Sequence, residues 1–191
     1  MTMELRISTH NSATGEPSAT WLDRLMTPVA RCQAKTLAGQ YDAGCRYFDL
    51  RAARDRSGRW ACAHGHWRSR TSLAAALRLL DGLARQCAGP LYVSVTLERG
   101  GHGELEALCR HVAEAVAFPA FTLTYWATKE GGWHIEATDR QVSLRHEFYD
   151  LGRRWPWRLL LPFPRLWAWV WTKARGRHAF TGEAFTQVDF L

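Results

Sequence analysis

Six ionisable side chains stand at or near the carboxyl ends of short segments with the pattern of β-strands. Histidine exchanges protons near neutral pH, an arginine guanidinium binds two oxygens of a phosphate or carboxylate, and a carboxylate can orient either group. A set with these residue types can perform general acid–base chemistry on an anionic substrate. The six residues are His10, Asp49, Arg51, His64, Glu98 and Asp189.

Alternation of apolar and polar residues predicts the strands that carry these side chains. In CRYFDLR (45–51), it places Asp49 and Arg51 on one face and Phe48 and Leu50 on the other. Phe48 and Leu50 are therefore expected to face outward against helices, and Asp49 and Arg51 to face inward. The other predicted strands cover residues 5–10, 59–64, 91–98 and 185–190, with 121–126 as a further candidate.

Apolar residues at helical spacing separate these strands. Thr27 and Pro28 predict the start of a helix that continues to about Asp42, and Gly44 is placed to end it. Further helices are predicted over 71–85 and 105–116; residues 164–175 have a helical pattern, and 139–151 are ambiguous.

The alternation of strands and helices predicts an α/β fold, a TIM-type (βα) barrel, in one domain over residues 1–191. In such a barrel the carboxyl ends of the strands form a single face, so the six ionisable residues are expected to converge there. Because the chain is shorter than the roughly 250 residues of a complete barrel, we expect an abbreviated or irregular one.

The charge balance favours an anionic partner. The chain carries 25 lysines and arginines against 18 aspartates and glutamates, a formal net charge of +7. This excess alone does not separate nucleic acid, membrane lipid and phosphorylated substrate. The five cysteines contain no CxxC pair, and we expect buried free thiols in place of a disulfide framework or a zinc site.

The sequence does not predict a membrane-spanning segment. The longest apolar-looking run, residues 155–171, is interrupted by Arg158, Pro162, Pro164 and Arg165. No basic segment followed by an apolar one stands at the N-terminus, so a cytoplasmic location is the default expectation, with room for peripheral association at a membrane.

Five short motifs resemble, in order and spacing, those of the phosphatidylinositol-specific phospholipase C family, bacterial type. They are STHNS (8–12), GCRYFDLR (44–51), AHGH (63–66), SVTLE (94–98) and QVDFL (187–191). The similarity extends over residues 5–117 and returns at the last motif. The resemblance implies a barrel phosphodiesterase that cleaves a phosphoinositide-type lipid to diacylglycerol and a cyclic inositol phosphate.

The same resemblance implies a role for each site residue. His10 matches the general base that deprotonates the inositol 2-hydroxyl, and His64 matches the acid that protonates the departing diacylglycerol oxygen. Arg51, beside Asp49, stands where bacterial members carry an arginine that neutralises the phosphate. Asp189 matches a carboxylate that orients the base histidine. The substrate-binding candidates are Asn11, Glu98 and His66.

Metal independence is the favoured prediction, and no cofactor is expected. Asn11 and Glu98 nevertheless resemble residues of the calcium-dependent members, so calcium is the alternative, with Asn11, Asp49 and Glu98 as its ligands. His64 and His66 would share a strand face if their strand continued, which leaves an HxH metal pair as a second alternative.

The segment 153–177 interleaves tryptophans with arginines. Either one helix face packs its rings against the barrel, or these residues dock into the headgroup region of a membrane. The second interpretation makes an interface of Trp155, Trp157, Trp167 and Trp169. The expected partners are thus a phospholipid substrate and a membrane surface, with no nucleic acid.

Two other functions stay open on the sequence alone. One is a catalytically inactive barrel that only binds anionic lipid. The other is a metal-dependent phosphodiesterase of the glycerophosphodiester or sphingomyelinase D type.

Overall fold

Strands alternate with helices along the part of the chain that the computed structural model describes, which is residues 7–9, 11–100, 102–127, 134–135, 144–145 and 185–188. The strands are β1 (Ile7–Thr9), β2 (Cys45–Arg54), β3 (Trp60–His64), β4 (Trp67–Ser72), β5 (Tyr92–Leu97), β6 (Thr122–Ala127), β7 (His134–Ile135), β8 (Leu144–Arg145) and β9 (Phe185–Val188). The helices are α1 (Trp21–Ala30), α2 (Leu37–Asp42), α3 (Leu73–Gln86) and α4 (His102–Ala115), and a 3-10 turn covers Ser12–Gly15.

One sheet contains all nine of these strands: seven follow the order β7-β6-β5-β2-β1-β9-β8, and β3 and β4 form a hairpin that pairs with β2. The pairs β1–β2, β2–β5, β5–β6 and β1–β9 are parallel, so the last described strand returns to the first, as in a barrel. Among the described strands the two at the ends of this order, β7 and β8, do not pair with each other, and the sheet is not closed. The predicted α/β fold of TIM-barrel type, irregular in form, is confirmed.

The apolar core lies between the sheet and the helices. Phe48 and Leu50 of β2 are completely buried and pack in the same cluster as Val93 and Val95 of β5. Helices α3 and α4 supply the opposite side because their apolar residues recur every three or four positions. Their buried members are Leu73, Ala76, Leu77, Leu80, Ala84, Leu105, Leu108 and Val112.

The predicted helix from Thr27 to Asp42 is wrong, because the segment forms two helices with a loop between them. The first begins earlier, where Thr20 and Asp23 form a reciprocal capping box, and it contains Pro28 near its end. A proline here lacks the amide hydrogen that would bond the Arg24 carbonyl one turn earlier, and the helix ends two residues later.

The loop between α1 and α2 is held by a side chain, not by helical hydrogen bonds. The backbone amides of Cys32 and Gln33 donate to the Thr14 hydroxyl at 2.9 and 3.1 Å. Helix α2 then begins, with Thr36 as its N-terminal cap. The expected stop at Gly44 is confirmed, since this residue has a φ of 97° and donates to the Tyr41 carbonyl.

A hairpin that the sequence did not predict follows β2. Strands β3 and β4 are antiparallel, and β3 pairs with the carboxyl end of β2 through Ala52, Ala53 and Arg54. Strand β4 occupies the residues just before α3, which therefore begins at Leu73 with Ser72 as its cap. The hairpin bears on the predicted site because His64 ends its first strand.

The cysteines are all free, as predicted. Cys32, Cys45 and Cys62 are buried, and burial raises the pKa of the Cys62 thiol to about 12. The expectation of burial is wrong for Cys87 and Cys109, which follow or lie on helices and keep partial exposure. None of the described helices is long and apolar enough to cross a membrane.

Candidate active site at the carboxyl ends of the strands

Four of the predicted site residues lie together near the carboxyl ends of the parallel strands β1, β2 and β5, where the antiparallel strand β3 also ends. Asn11 follows β1, Arg51 is in the second half of β2, His64 ends β3, and Glu98 follows β5. Asp49 lies one pleat before Arg51 and on the same face. Outside the described residues are His10, Asp189, Trp155, Trp157, Trp167 and Trp169, so their roles stay predictions.

Asp49 is buried and holds three strands together through hydrogen bonds. Its Oδ2 accepts the backbone amide of Asn11 at 3.2 Å, and its Oδ1 accepts the Ser94 hydroxyl at 3.3 Å. Ser94 is in reach because it is the β5 residue in register with Asp49. The backbone amide of Asp49 in turn donates to the Ser12 hydroxyl at 2.8 Å. The carboxylate is therefore fixed before any ligand binds.

Arg51 lies between two carboxylates. Its Nε is 3.7 Å from Asp49 Oδ2, and its Nη1 is 3.4 Å from Glu98 Oε2. The side chain keeps 17% of its surface exposed. Both ion pairs are long. The two carboxylates therefore orient the guanidinium, but neither forms a short bidentate bond with it. A cation held in this way can meet the charge of a phosphate.

Glu98 uses its second oxygen to hold the β3–β4 hairpin. Oε1 accepts the backbone amide of Gly65 at 2.7 Å. Gly65 and His66 form a two-residue turn, and Gly65 has a φ of 58°, the conformation that a type II′ turn requires of its first central residue. Glu98 thus positions both Arg51 and the strand end that carries His64.

His64 is held by the end of α1 and by the loop that follows it. Its Nδ1 lies 2.7 Å from the carbonyl oxygen of Ala30 and 3.8 Å from Cys32 Sγ. Since a carbonyl can only accept, Nδ1 carries a proton and donates to Ala30. Burial lowers the pKa of His64, but the contacts with Cys32 and with the Ala30 carbonyl outweigh burial and raise it above its ordinary value.

These contacts form a closed circuit around the site. Cys32 also accepts the Asn11 side-chain amide at 3.5 Å, which connects the histidine side of the site to the carboxylate side. Each member forms a hydrogen bond or an ion pair with the next, and Gly65 adjoins His64 in the chain. In order, the circuit runs through His64, Cys32, Asn11, Asp49, Arg51, Glu98 and Gly65.

His66 lies at the rim of this site and is exposed. Its two ring nitrogens face Arg99, with Nε2 3.0 Å from Nη2 and Nδ1 3.4 Å from Nη1. A fixed positive charge in contact with both nitrogens disfavours an HxH metal pair here. Among the described side chains no three from histidine, cysteine, aspartate and glutamate are grouped as a metal site would require.

Sequence reasoning missed Cys32, Ser94 and the carbonyl of Ala30. Ser94 had a usable signal, because it shares the strand alternation that places Glu98 inward. Cys32 and Ala30 had none, since their contacts with His64 depend on how the α1–α2 loop folds.

Two solved structures with the same fold are bacterial lipid phosphodiesterases. The phosphatidylinositol-specific phospholipase C from Listeria monocytogenes aligns with a TM-score of 0.59 and 14% identity, over 98% of this chain and 88% of that chain. A double mutant of the phosphatidylinositol-specific phospholipase C from S. aureus aligns with a TM-score of 0.60 and 12% identity, over 98% and 86%. No protein-family model and no curated protein sequence matches. At these identities the likeness shows the TIM-barrel fold of these enzymes.

Proposed function

We propose that the protein is a phosphodiesterase that cleaves a phosphoinositide-type lipid to diacylglycerol and a cyclic inositol phosphate. The observation that carries this proposal is the circuit that orients Arg51 and His64 at the carboxyl ends of the strands, in a chain with the fold of bacterial phospholipase C enzymes. A guanidinium for the phosphate and a histidine as proton donor are what in-line cleavage of a phosphodiester needs.

In the proposed mechanism His10 takes the proton of the inositol 2-hydroxyl, and that oxygen attacks phosphorus. The bond from phosphorus to the diacylglycerol oxygen breaks, and His64 gives its proton to that oxygen. Arg51 offsets the charge that develops on the phosphoryl oxygens. We assign the transferred proton to Nε2 of His64, because Nδ1 donates to Ala30. Water then opens the cyclic phosphate with the two histidines in exchanged roles.

The supporting observations for His10 come from its neighbours. Thr9 is paired with Phe48 of β2 and with Val188 of β9, and Asn11 bonds to Asp49. Val188 directly precedes Asp189, the carboxylate proposed to orient His10. Two neighbouring strands therefore end where the proposed base and its partner follow in sequence.

A lipid substrate is favoured by the outer face of α1. Trp21, Leu25 and Val29 are 70%, 69% and 58% exposed, and Leu22 and Met26 extend the same face. The inward face carries the buried Asp23 and Ala30 instead. This amphipathic helix has its apolar side toward solvent, the arrangement of helices that lie in a membrane interface.

The occupant that we propose for this face is an anionic lipid surface. Arg24 and Lys35 are exposed on or near the helix, and the chain has a net charge of +7. The helix ends at Ala30, whose carbonyl contacts His64 of β3, so the element that carries the apolar face also holds the proposed general acid. A membrane bound there would present its headgroups beside the site.

Phosphorus NMR of the products from phosphatidylinositol vesicles tests the proposed reaction. A cyclic inositol phosphate signal followed by its conversion to the monoester is the expected result. Vesicle binding without any product supports an inactive lipid-binding barrel in its place. Activity that disappears in excess chelator and returns with a divalent ion supports a metal-dependent phosphodiesterase.

A further inference from the structure

Two arginines flank the turn between β3 and β4, at the rim of the site. Arg99 follows Glu98 and lies against the His66 ring, 3.0 Å from its Nε2. Arg68 bends back over the turn, where its Nη1 donates to the carbonyls of Gly65 and Trp67 at 2.8 and 2.9 Å. The name basic rim is used below for Arg68, Arg99 and His66.

The basic rim adjoins the proposed cleavage site. The Gly65 amide is bonded to Glu98, whose other oxygen faces Arg51. His66 is thus two residues from His64, and Arg99 is one residue from Glu98. A group bound at the basic rim would be next to a phosphate held by Arg51.

The guanidinium groups of the basic rim lie outside ion-pair distance of the carboxylates in the described part of the chain. Neither Arg68 nor Arg99 forms an ion pair within the described part of the chain, although other arginines there do. Burial and the charge of Arg99 lower the pKa of Arg68, while the more distant carboxylates of Asp23, Glu98 and Asp55 act in the opposite direction. The arginines with carboxylate partners are Arg51, Arg54, Arg59 and Arg85.

We propose that the basic rim is a subsite for a second phosphate group, adjacent to the phosphodiester that is cleaved. An anion there would offset the repulsion between the arginines, and a guanidinium can present two N–H donors to two phosphoryl oxygens. Arg99 would exchange its contact with His66 for the anion. The inference rests on the proposed function, because it takes the neighbouring site to be the place of cleavage.

Two sources could supply this phosphate. It could be a phosphomonoester on the inositol ring of the same headgroup, which would make a phosphorylated inositol lipid the preferred substrate. It could also be the phosphodiester of a neighbouring anionic lipid in the membrane. Both sources present the same oxygens to Arg99, and they differ in whether the second phosphate is bonded to the headgroup.

Calorimetry with soluble headgroups tests the first source. Wild type is expected to bind an inositol bisphosphate more tightly than an inositol monophosphate. In Arg99→Gln the preference should fall roughly tenfold, the size of one good charged contact, with monophosphate binding unchanged. The matched control is Arg110→Gln, which removes the same charge from an exposed position on α4.

Vesicle binding tests the second source. Binding to phosphatidylcholine vesicles is measured with and without phosphatidylglycerol, for wild type, Arg99→Gln and Arg110→Gln. If Arg99 matters only when phosphatidylglycerol is present, and not for the soluble bisphosphate, the second phosphate belongs to a neighbouring lipid. Equal behaviour of Arg99→Gln and Arg110→Gln in both experiments overturns the subsite.

These measurements separate the subsite from the cleavage reaction, because neither depends on turnover. Cleavage of phosphatidylinositol by a protein whose binding ignores Arg99 would remove the subsite and leave the proposed function. Binding that depends on Arg99 in a protein that forms no cyclic phosphate would remove the proposed function and leave an anion site.

Discussion

His64 Nδ1 lies 2.7 Å from the carbonyl oxygen of Ala30, the last residue of α1. Carbonyl groups at the end of a helix carry partial negative charge, which favours a protonated histidine at that position. The helix that presents an apolar face to solvent therefore also stabilises the charged form of the proposed general acid. One helix of ten residues thus carries both the apolar face proposed to bind lipid and the carbonyl that holds His64.

Replacement of either proposed proton-transfer residue is expected to stop turnover without unfolding the protein. His10→Ala and His64→Ala should each lower the rate of phosphatidylinositol cleavage by at least about a hundredfold, as loss of general acid–base catalysis does. His111→Gln, on α4 and away from the circuit, is the matched histidine control. Near-normal rates in either alanine variant, with a cooperative melting transition retained, would contradict the two-histidine mechanism.

Cys32 is expected to raise the pKa of His64. Its removal in Cys32→Ala takes away a contact that raises the pKa of His64, so the pKa should fall toward or below its ordinary value. NMR titration of the His64 ring protons measures this directly. The alkaline limb of the pH–rate profile should move to lower pH with it, because the acid must be protonated.

The control for this experiment is Cys109→Ala, a partly exposed thiol on α4. The stability of the fold gives a second readout. A histidine whose folded-state pKa is raised contributes stability that is complete below the unfolded pKa of about 6.5 and is lost as pH rises through the folded value. This pH dependence should shrink in Cys32→Ala; an unchanged His64 titration would show that the sulfur has no influence on it.

The outer face of α1 is expected to govern vesicle binding. The double variant Trp21→Ala, Leu25→Ala should weaken binding to anionic vesicles severalfold or more, since each apolar side chain contributes about 1.5–3 kcal/mol when fully buried. Hydrolysis of a soluble, short-chain substrate should change little. Phe118→Ala is the control, because Phe118 is 88% exposed and lies beyond α4.

The same assay tests the tryptophan-rich segment. Trp167→Ala with Trp169→Ala should also weaken vesicle binding if that segment is an interface. If only the α1 variant loses vesicle binding, membrane docking is assigned to α1. Equal losses of vesicle binding and soluble hydrolysis in the α1 variant would contradict a docking role.

Arg51 is expected to take the place of a metal ion. Excess chelator should leave activity largely unchanged. Arg51→Asp changes the local charge by two negative units and puts a carboxylate beside Asp49 and Glu98, an all-oxygen environment of the kind that calcium prefers. Activity of this variant should therefore become dependent on added calcium. Wild-type activity that vanishes in chelator and recovers with calcium would contradict the prediction.

The face on which Asp49 and Arg51 lie could be predicted because strand alternation is a local property. The same rule placed Phe48 and Leu50 in the core. The α1 boundary could not be predicted from Pro28, because a tertiary bond from Thr14 competes for the amides that would have continued the helix. Contacts such as His64 with Ala30 join segments through a loop conformation, and no sequence period encodes them.

Strand β1 lies between β2 and β9, so one of its edges pairs early in the chain and the other with residues near the far end. Ile7 is opposite Thr186, and a ribosome that adds about 5–20 residues per second needs roughly ten to forty seconds to make the partner. During that interval the outer edge of β1 offers unpaired backbone groups to any other strand. The sheet around the end of β1 is therefore completed only after β9 has been made.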